Sequence, residues 1–208
     1  MEFNSVVPLS LAPTAVDADG VSASQSPGAG AILINGALAS GGVATFGAAQ
    51  LVRLTSGGDD SLLTFTFTGT DADGRAQTEA VAGTNASNSS TTKYFKTITS
   101  VTHTGSVATT VIIGNLIDSA SNLIFPDLSF APTAIGIGVD LVSGTATYKV
   151  QHSYQSGRVT HPTVWFDNSA GAKTADSEAT YSSPVSCIRI LLSASSSAVI
   201  SANVIQGG

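Results

Sequence analysis

The stretch SLLTFTFTGTDADGRAQTEAVAG, Ser61 to Gly83, decides the fold class. Leu63, Phe65 and Phe67 alternate with Thr64, Thr66 and Thr68. A period of two in β-branched and aromatic residues marks a half-buried strand. Asp71-Ala72-Asp73-Gly74 comes next, in which Asp accepts local backbone hydrogen bonds and Gly accepts a positive φ. The extended pattern then resumes through Arg75 to Gly83. Strand, turn and strand predict a hairpin.

The same grammar runs outward in both directions. YFKTITSVTHTG (Tyr94–Gly105) and ATTVIIG (Ala108–Gly114) form a second extended pair. GTATYKVQHSY (Gly144–Tyr154) alternates Ala146, Tyr148, Val150, His152 and Tyr154 on one face, and SCIRILLSA and AVISANVIQ supply two more strands. Clusters of Gly, Ser, Asn and Pro separate the runs. The one Ala-rich stretch, NGALASGGVATFGAAQLV, carries glycines that cost about 1 kcal/mol each inside a helix. The expected class is all-β and antiparallel.

A repeated phrase suggests how the chain is divided. LSLAPTAV (Leu9–Val16) returns as LSFAPTAI (Leu128–Ile135) with six identities in eight. VIIG (Val111–Gly114) closes the first half as VIQG (Val204–Gly207) closes the second. The expectation is two tandem small β-sandwich or barrel-like domains, residues 1–118 and 119–208, related by duplication. The extra length of the first domain falls within Val16 to Ser40. Residues 1–16 read either as an extended arm that adds a strand to a neighbour or as a plain lead-in to the first domain.

Composition narrows the function classes. Charged residues make up 11% of the 208, against roughly 25% in an ordinary soluble domain. No apolar run approaches the ~18 residues that span a bilayer, and ATTVIIGNLI is broken by Thr, Gly and Asn. The amino terminus lacks the basic start and apolar core of a signal peptide. The net charge is −6 and the eight Lys and Arg are scattered, with only Lys93 and Lys96 close together. Nucleic-acid binders need a basic stripe against phosphate, so that class is discounted, as is membrane insertion. Cys187 is the only cysteine and lies in an apolar alternating stretch, where a buried, inert thiol is expected.

Catalytic constellations are missing from the pattern. Asp17–Gly20 and Asp71–Gly74 both read D-A-D-G, but neither continues into a calcium loop, and turns are expected there. His103, His152 and His161 have no zinc-ligand spacing. Glu2, Glu79 and Glu178 lack a glycosidase context, and no G-x-S-x-G elbow occurs. The chain is expected to be no enzyme and to carry no cofactor or metal. One concentration stands out: Tyr148, His152, Tyr154, Trp165 and Phe166 form a candidate interaction surface, with a long loop carrying Trp165. The competing reading is that Trp165 and Phe166 plug the end of a small sandwich.

A surface so poor in charge must be Ser, Thr, Asn, Gly and apolar groups. Uncharged β edges aggregate unless paired or covered, which favours a structural protein in a symmetric assembly. Thr68 to Gly105 resembles a segment of tailed-bacteriophage virion proteins. There G-T-D-x-x-G is followed by E-x-V-x-G and K-x-F-K-T-I-x-S-V. Gly144 onward resembles their carboxy-terminal half, with G-T-x-x-Y-x-V-Q-H, then W-F, P-V-x-x-I-R and V-I-Q-G-G. The resemblance covers most of residues 55–208. It implies a virion structural protein assembled in the host cytoplasm. The preferred role is a head decoration or cement protein on the capsid exterior, bridging major capsid protein subunits. Self-association is expected, with a trimer suggested by the three-fold docking points of capsids. The alternative is a neck, tail or fibre component whose aromatic cluster binds a host glycan.

Overall fold

The computed structural model describes residues 5–129, 134–194 and 198–207. No helix occurs among them. Sixteen strands do: β1 (Ser5–Leu11), β2 (Ser22–Gln25), β3 (Gly30–Ile32), β4 (Ala39–Ser40), β5 (Val43–Ser56), β6 (Thr64–Thr70), β7 (Ala76–Ala82), β8 (Asn88–Ser90), β9 (Phe95–His103), β10 (Val111–Ala120), β11 (Ala134–Ser143), β12 (Ala146–Ser153), β13 (Phe166–Asp167), β14 (Ser177–Tyr181), β15 (Cys187–Ala194) and β16 (Val199–Gly207). The strand pairings among the described residues are antiparallel, so the class is all-β antiparallel, and no barrel closes among them.

The chain divides into two compact units. The first is Pro13–Ser119, and the second joins the segment ending at Ala12 to the segment beginning at Ala120. The expected boundary, which groups residues 1–118, differs from this division at the amino terminus. β1 is why the opening residues go elsewhere. It pairs with β16 of the same chain over seven residues, from Ser5↔Gln206 to Leu11↔Ile200. Leu11 is buried and lies on the face of Ile200. The opening segment is therefore paired within the chain along the edge that faces β16.

In the first unit the strand order is β10-β5-β9-β6-β7, with β2, β3, β4 and β8 attached at the flanks. The hairpin at its edge forms as the alternation dictates. β6 pairs with β7 from Thr64↔Ala82 to Thr70↔Ala76, and Phe65 and Phe67 are fully buried. They join Phe46, Phe95, Ile98, Val101 and Ile113 in one apolar core. Gly69 sits where the β6–β9 register shifts. A Cβ there would lie 1.8 Å from the Thr97 carbonyl oxygen, so only glycine lets the two backbones approach.

Both D-A-D-G segments are turns. Asp71 Oδ1 accepts from the backbone N–H of Asp73 and of Arg75, each at 2.9 Å, and Gly74 has φ +78°. Arg75 lies 4.0 Å from Asp71 and 3.3 Å from Asp73. Asp17 Oδ1 likewise accepts from Asp19 N–H. These carboxylates stabilise tight chain reversals. Glu79 is used similarly: it accepts from the N–H groups of Thr92 and Lys93.

The second unit has two sheets, β1-β16-β11-β14 and β13-β12-β15. Ile135, Ile137, Val139, Ile200, Ala202 and Val204 are buried on the first, and Ala146, Tyr148, Val150, Ile188, Ile190 and Leu192 on the second. The Tyr148 hydroxyl, from β12, reaches Ser177 Oγ of β14 at 2.8 Å. The two apolar faces therefore meet, which is the arrangement of a small sandwich. Cys187 is buried, as expected for a free thiol in an apolar strand. The units differ in strand order. The second copy of the repeated phrase lies partly outside the described residues, since Phe130 to Thr133 fall there.

Candidate functional site

All five candidate aromatics lie in the second unit, but the structure divides them into three environments. Tyr148 is 1% exposed. Its hydroxyl donates to the Ala175 carbonyl at 2.7 Å and shares a hydrogen bond with Ser177. It belongs to the core and is withdrawn from the interaction surface. The alternation of β12 turns even-numbered positions toward the facing sheet, and Tyr148 finds polar partners for its one polar atom there.

His152, Tyr154 and Phe166 do come together. β12 and β13 pair through His152↔Phe166. The imidazole stacks on the Phe166 ring at 5.6 Å and meets Tyr154 edge-on at 5.3 Å. Tyr181, from β14, meets His152 at 5.0 Å from the interior. Tyr154 and Phe166 are 59% and 47% exposed, so two ring faces are presented to solvent. Burial holds the His152 imidazole below its ordinary pKa, because desolvation penalises the cation. Its Nδ1 is buried with no hydrogen-bond partner among the described residues. Burial also pushes the Tyr181 phenol up to about 12.

Trp165 is in a different place. The Arg189 guanidinium carbon lies 3.8 Å from its ring centroid, and its indole N–H donates to the Pro162 carbonyl at 3.0 Å. Arg189 is paired with Gln151 across β12 and β15, and its Nε donates to Gln151 Oε1 at 2.9 Å. The Gln151 amide donates to Asp167 Oδ1 at 2.6 Å, and Lys149 bridges Asp167 Oδ2 at 3.0 Å. The Gln151 and Lys149 hydrogen bonds hold the Asp167 carboxyl below its usual range. Lys149, Gln151, Trp165, Asp167 and Arg189 thus form one polar and stacked network on the face of β12 opposite Tyr148. Arg189 was not among the residues singled out from the sequence. Its signal was the strand period, which sets Arg189 among inward-facing Ile188 and Ile190 but on the opposite face.

The second unit also carries a cleft of about 520 Å³. Phe125, Pro126, Asp127, Leu128, Ser156, Gly157, Arg158 and Ser186 line it. The Arg158 guanidinium carbon lies 4.8 Å from the Phe125 centroid. Hydrogen bonds from Ser129 hold the Asp127 carboxyl below its usual range, with a smaller contribution from Arg158. Among the described residues no group of three or more His, Cys, Asp and Glu could hold a metal ion.

No protein-family model and no curated protein sequence matches the chain. Among solved structures it is similar to the PBSX exported protein XepA, with 96% of this chain and 86% of that one covered. The identity is 8% and the TM-score 0.28, a likeness too slight to argue from.

Proposed function

We propose that the chain is a bacteriophage virion structural protein, acting as a decoration or cement protein on the capsid exterior. It binds major capsid protein subunits, bridges neighbours and stabilises the shell without enzymatic chemistry, cofactor or metal. The observation that carries this reading is the surface. An antiparallel β chain with 11% charged residues leaves Val142, Tyr154, Val159, Val164, Phe166 and Ile205 exposed. Such apolar exposure is covered in an assembly. The resemblance of its motifs to those of phage virion proteins supplies the class of assembly. Quantitative mass spectrometry of purified virions tests the role. A copy number comparable to that of the major capsid protein is expected, and about a dozen copies per particle would refute it and point to the neck or tail.

One observation favours a second reading, a neck, tail or fibre component. Tyr154 and Phe166 offer two adjacent exposed ring faces at 5.7 Å, which suit stacking against a sugar ring. Arg189 covers the Trp165 ring, so on this reading Tyr154 and Phe166 carry the role. On this reading, Tyr154→Ala with Phe166→Ala abolishes phage adsorption while particles remain intact. Normal adsorption rejects it.

A further inference from the structure

We propose that the cleft end of the second unit is a two-fold contact between copies of this chain. Val159 of one copy enters the cleft of the other, and each Arg158 faces the other copy's Asp127. This deepens the proposed function and rests on its premise that the apolar surface is covered in an assembly. The first ground is that projection and recess lie side by side. Val159 is 82% exposed, and its neighbour Arg158 lines the cleft. The recess has apolar walls in Phe125, Pro126 and Leu128, and Leu128 is itself 54% exposed. An isologous contact uses one patch twice, so that residue i meets j and j meets i. A patch holding both knob and hole meets that condition.

Charge gives the second ground. The chain has eight Lys and Arg among 208 residues and a net charge of −6. Even so, the cleft carries one cation, Arg158, and one anion, Asp127. Within one copy Arg158 already acts weakly on Asp127; a two-fold rotation that sets each Arg158 against the other copy's Asp127 adds two complementary pairs, whereas a partner of uniform charge would satisfy only one of the two groups. Opposed pairs of this kind select the partner and its register.

The third ground is that both sides are already held in place. Gln155 Oε1 accepts from the N–H groups of Thr163 and Val164, at 2.7 and 3.1 Å, which closes the loop carrying Val159. Trp165 is pinned by Pro162 and Arg189. Across the cleft, Asp127 N–H donates to Gln206 Oε1 at 2.8 Å, and the Asp127 carboxylate accepts from Ser129. Segments ordered beforehand lose less entropy on association.

The test is sedimentation equilibrium of the full chain from micromolar to near-millimolar concentration. Wild type is expected to form a dimer. Asp127→Arg, Arg158→Asp and Val159→Asp are each expected to weaken it by about tenfold or more, by juxtaposing like charges or burying a carboxylate. All three positions are exposed, so thermal melts should show the variants folded. The decisive sample mixes Asp127→Arg with Arg158→Asp. One copy then carries two cations and the other two anions, so a one-to-one heterodimer should recover. A wild type that stays monomeric overturns the contact. So does an oligomer that ignores all three substitutions, or charge variants that dissociate but do not recover on mixing. A trimer indifferent to them would sink this contact and leave the decoration role standing. A recovered heterodimer from a protein scarce in virions would do the reverse.

Discussion

Tyr148→Phe measures directly whether this phenol belongs to the core. The substitution keeps the ring and deletes one oxygen. That oxygen donates to Ala175 at 2.7 Å and pairs with Ser177 at 2.8 Å, in a residue that is 1% exposed. A typical intramolecular hydrogen bond contributes about 0.5–1.5 kcal/mol, and a buried group left unsatisfied costs about 1–3 kcal/mol. Losing both bonds and stranding the Ala175 carbonyl should therefore cost about 2 kcal/mol. For a unit of about 100 residues that lowers the melting temperature by roughly 8–16 °C. Scanning calorimetry with urea unfolding at matched concentration reads both quantities. With two compact units, the loss should appear in the transition assigned to the second unit, for which Ile190→Ala is a marker. A change below about 0.5 kcal/mol, the range of ordinary surface substitutions, would show that the hydroxyl faces water. It would also refute the face-to-face arrangement of the two sheets.

Two further outcomes follow from the same geometry. Gly69→Ala places a Cβ 1.8 Å from the Thr97 carbonyl oxygen; overpacking of this kind costs about 1–3 kcal/mol, and an unchanged urea midpoint would remove the proposed close approach of β6 to β9. His152 has its pKa lowered by burial, so the unfolded chain binds its proton more readily. The stability it contributes is fully present above about pH 6.5, the unfolded value, and is lost as pH falls from there toward the folded value. NMR titration of the imidazole should give a pKa below that of a model peptide; a value at or above it would show an open, solvated ring.

Much of the fold was legible because its signals are local. The Ser61–Gly83 hairpin formed with Phe65 and Phe67 inward, since side chains in a strand must alternate and the apolar set can face only one core. The D-A-D-G segments are turns because the first Asp reaches backbone donors two to four residues on, a range that depends on nothing distant. The candidate site was legible only in part. Alternation put Tyr148, His152 and Tyr154 on one face, but a shared face does not mean shared exposure. Depth from the sandwich end separates the three. Trp165 looked like an exposed anchor because it sits in a loop, and no local rule placed Arg189 across its ring.

The amino-acid sequence by itself determined the strand class, the turns, the inward residues of individual strands and a surface poor in charge. All of these depend on propensity and period over a few residues. Tertiary structure alone decided that residues 5–11 complete the sheet of the carboxy-terminal unit, and that Tyr148 is core while Tyr154 and Phe166 are surface. It also decided that Asp127 and Arg158 share one cleft. Those outcomes depend on which distant segments pair, and pairing is settled by the burial of whole faces, a quantity that no short stretch contains.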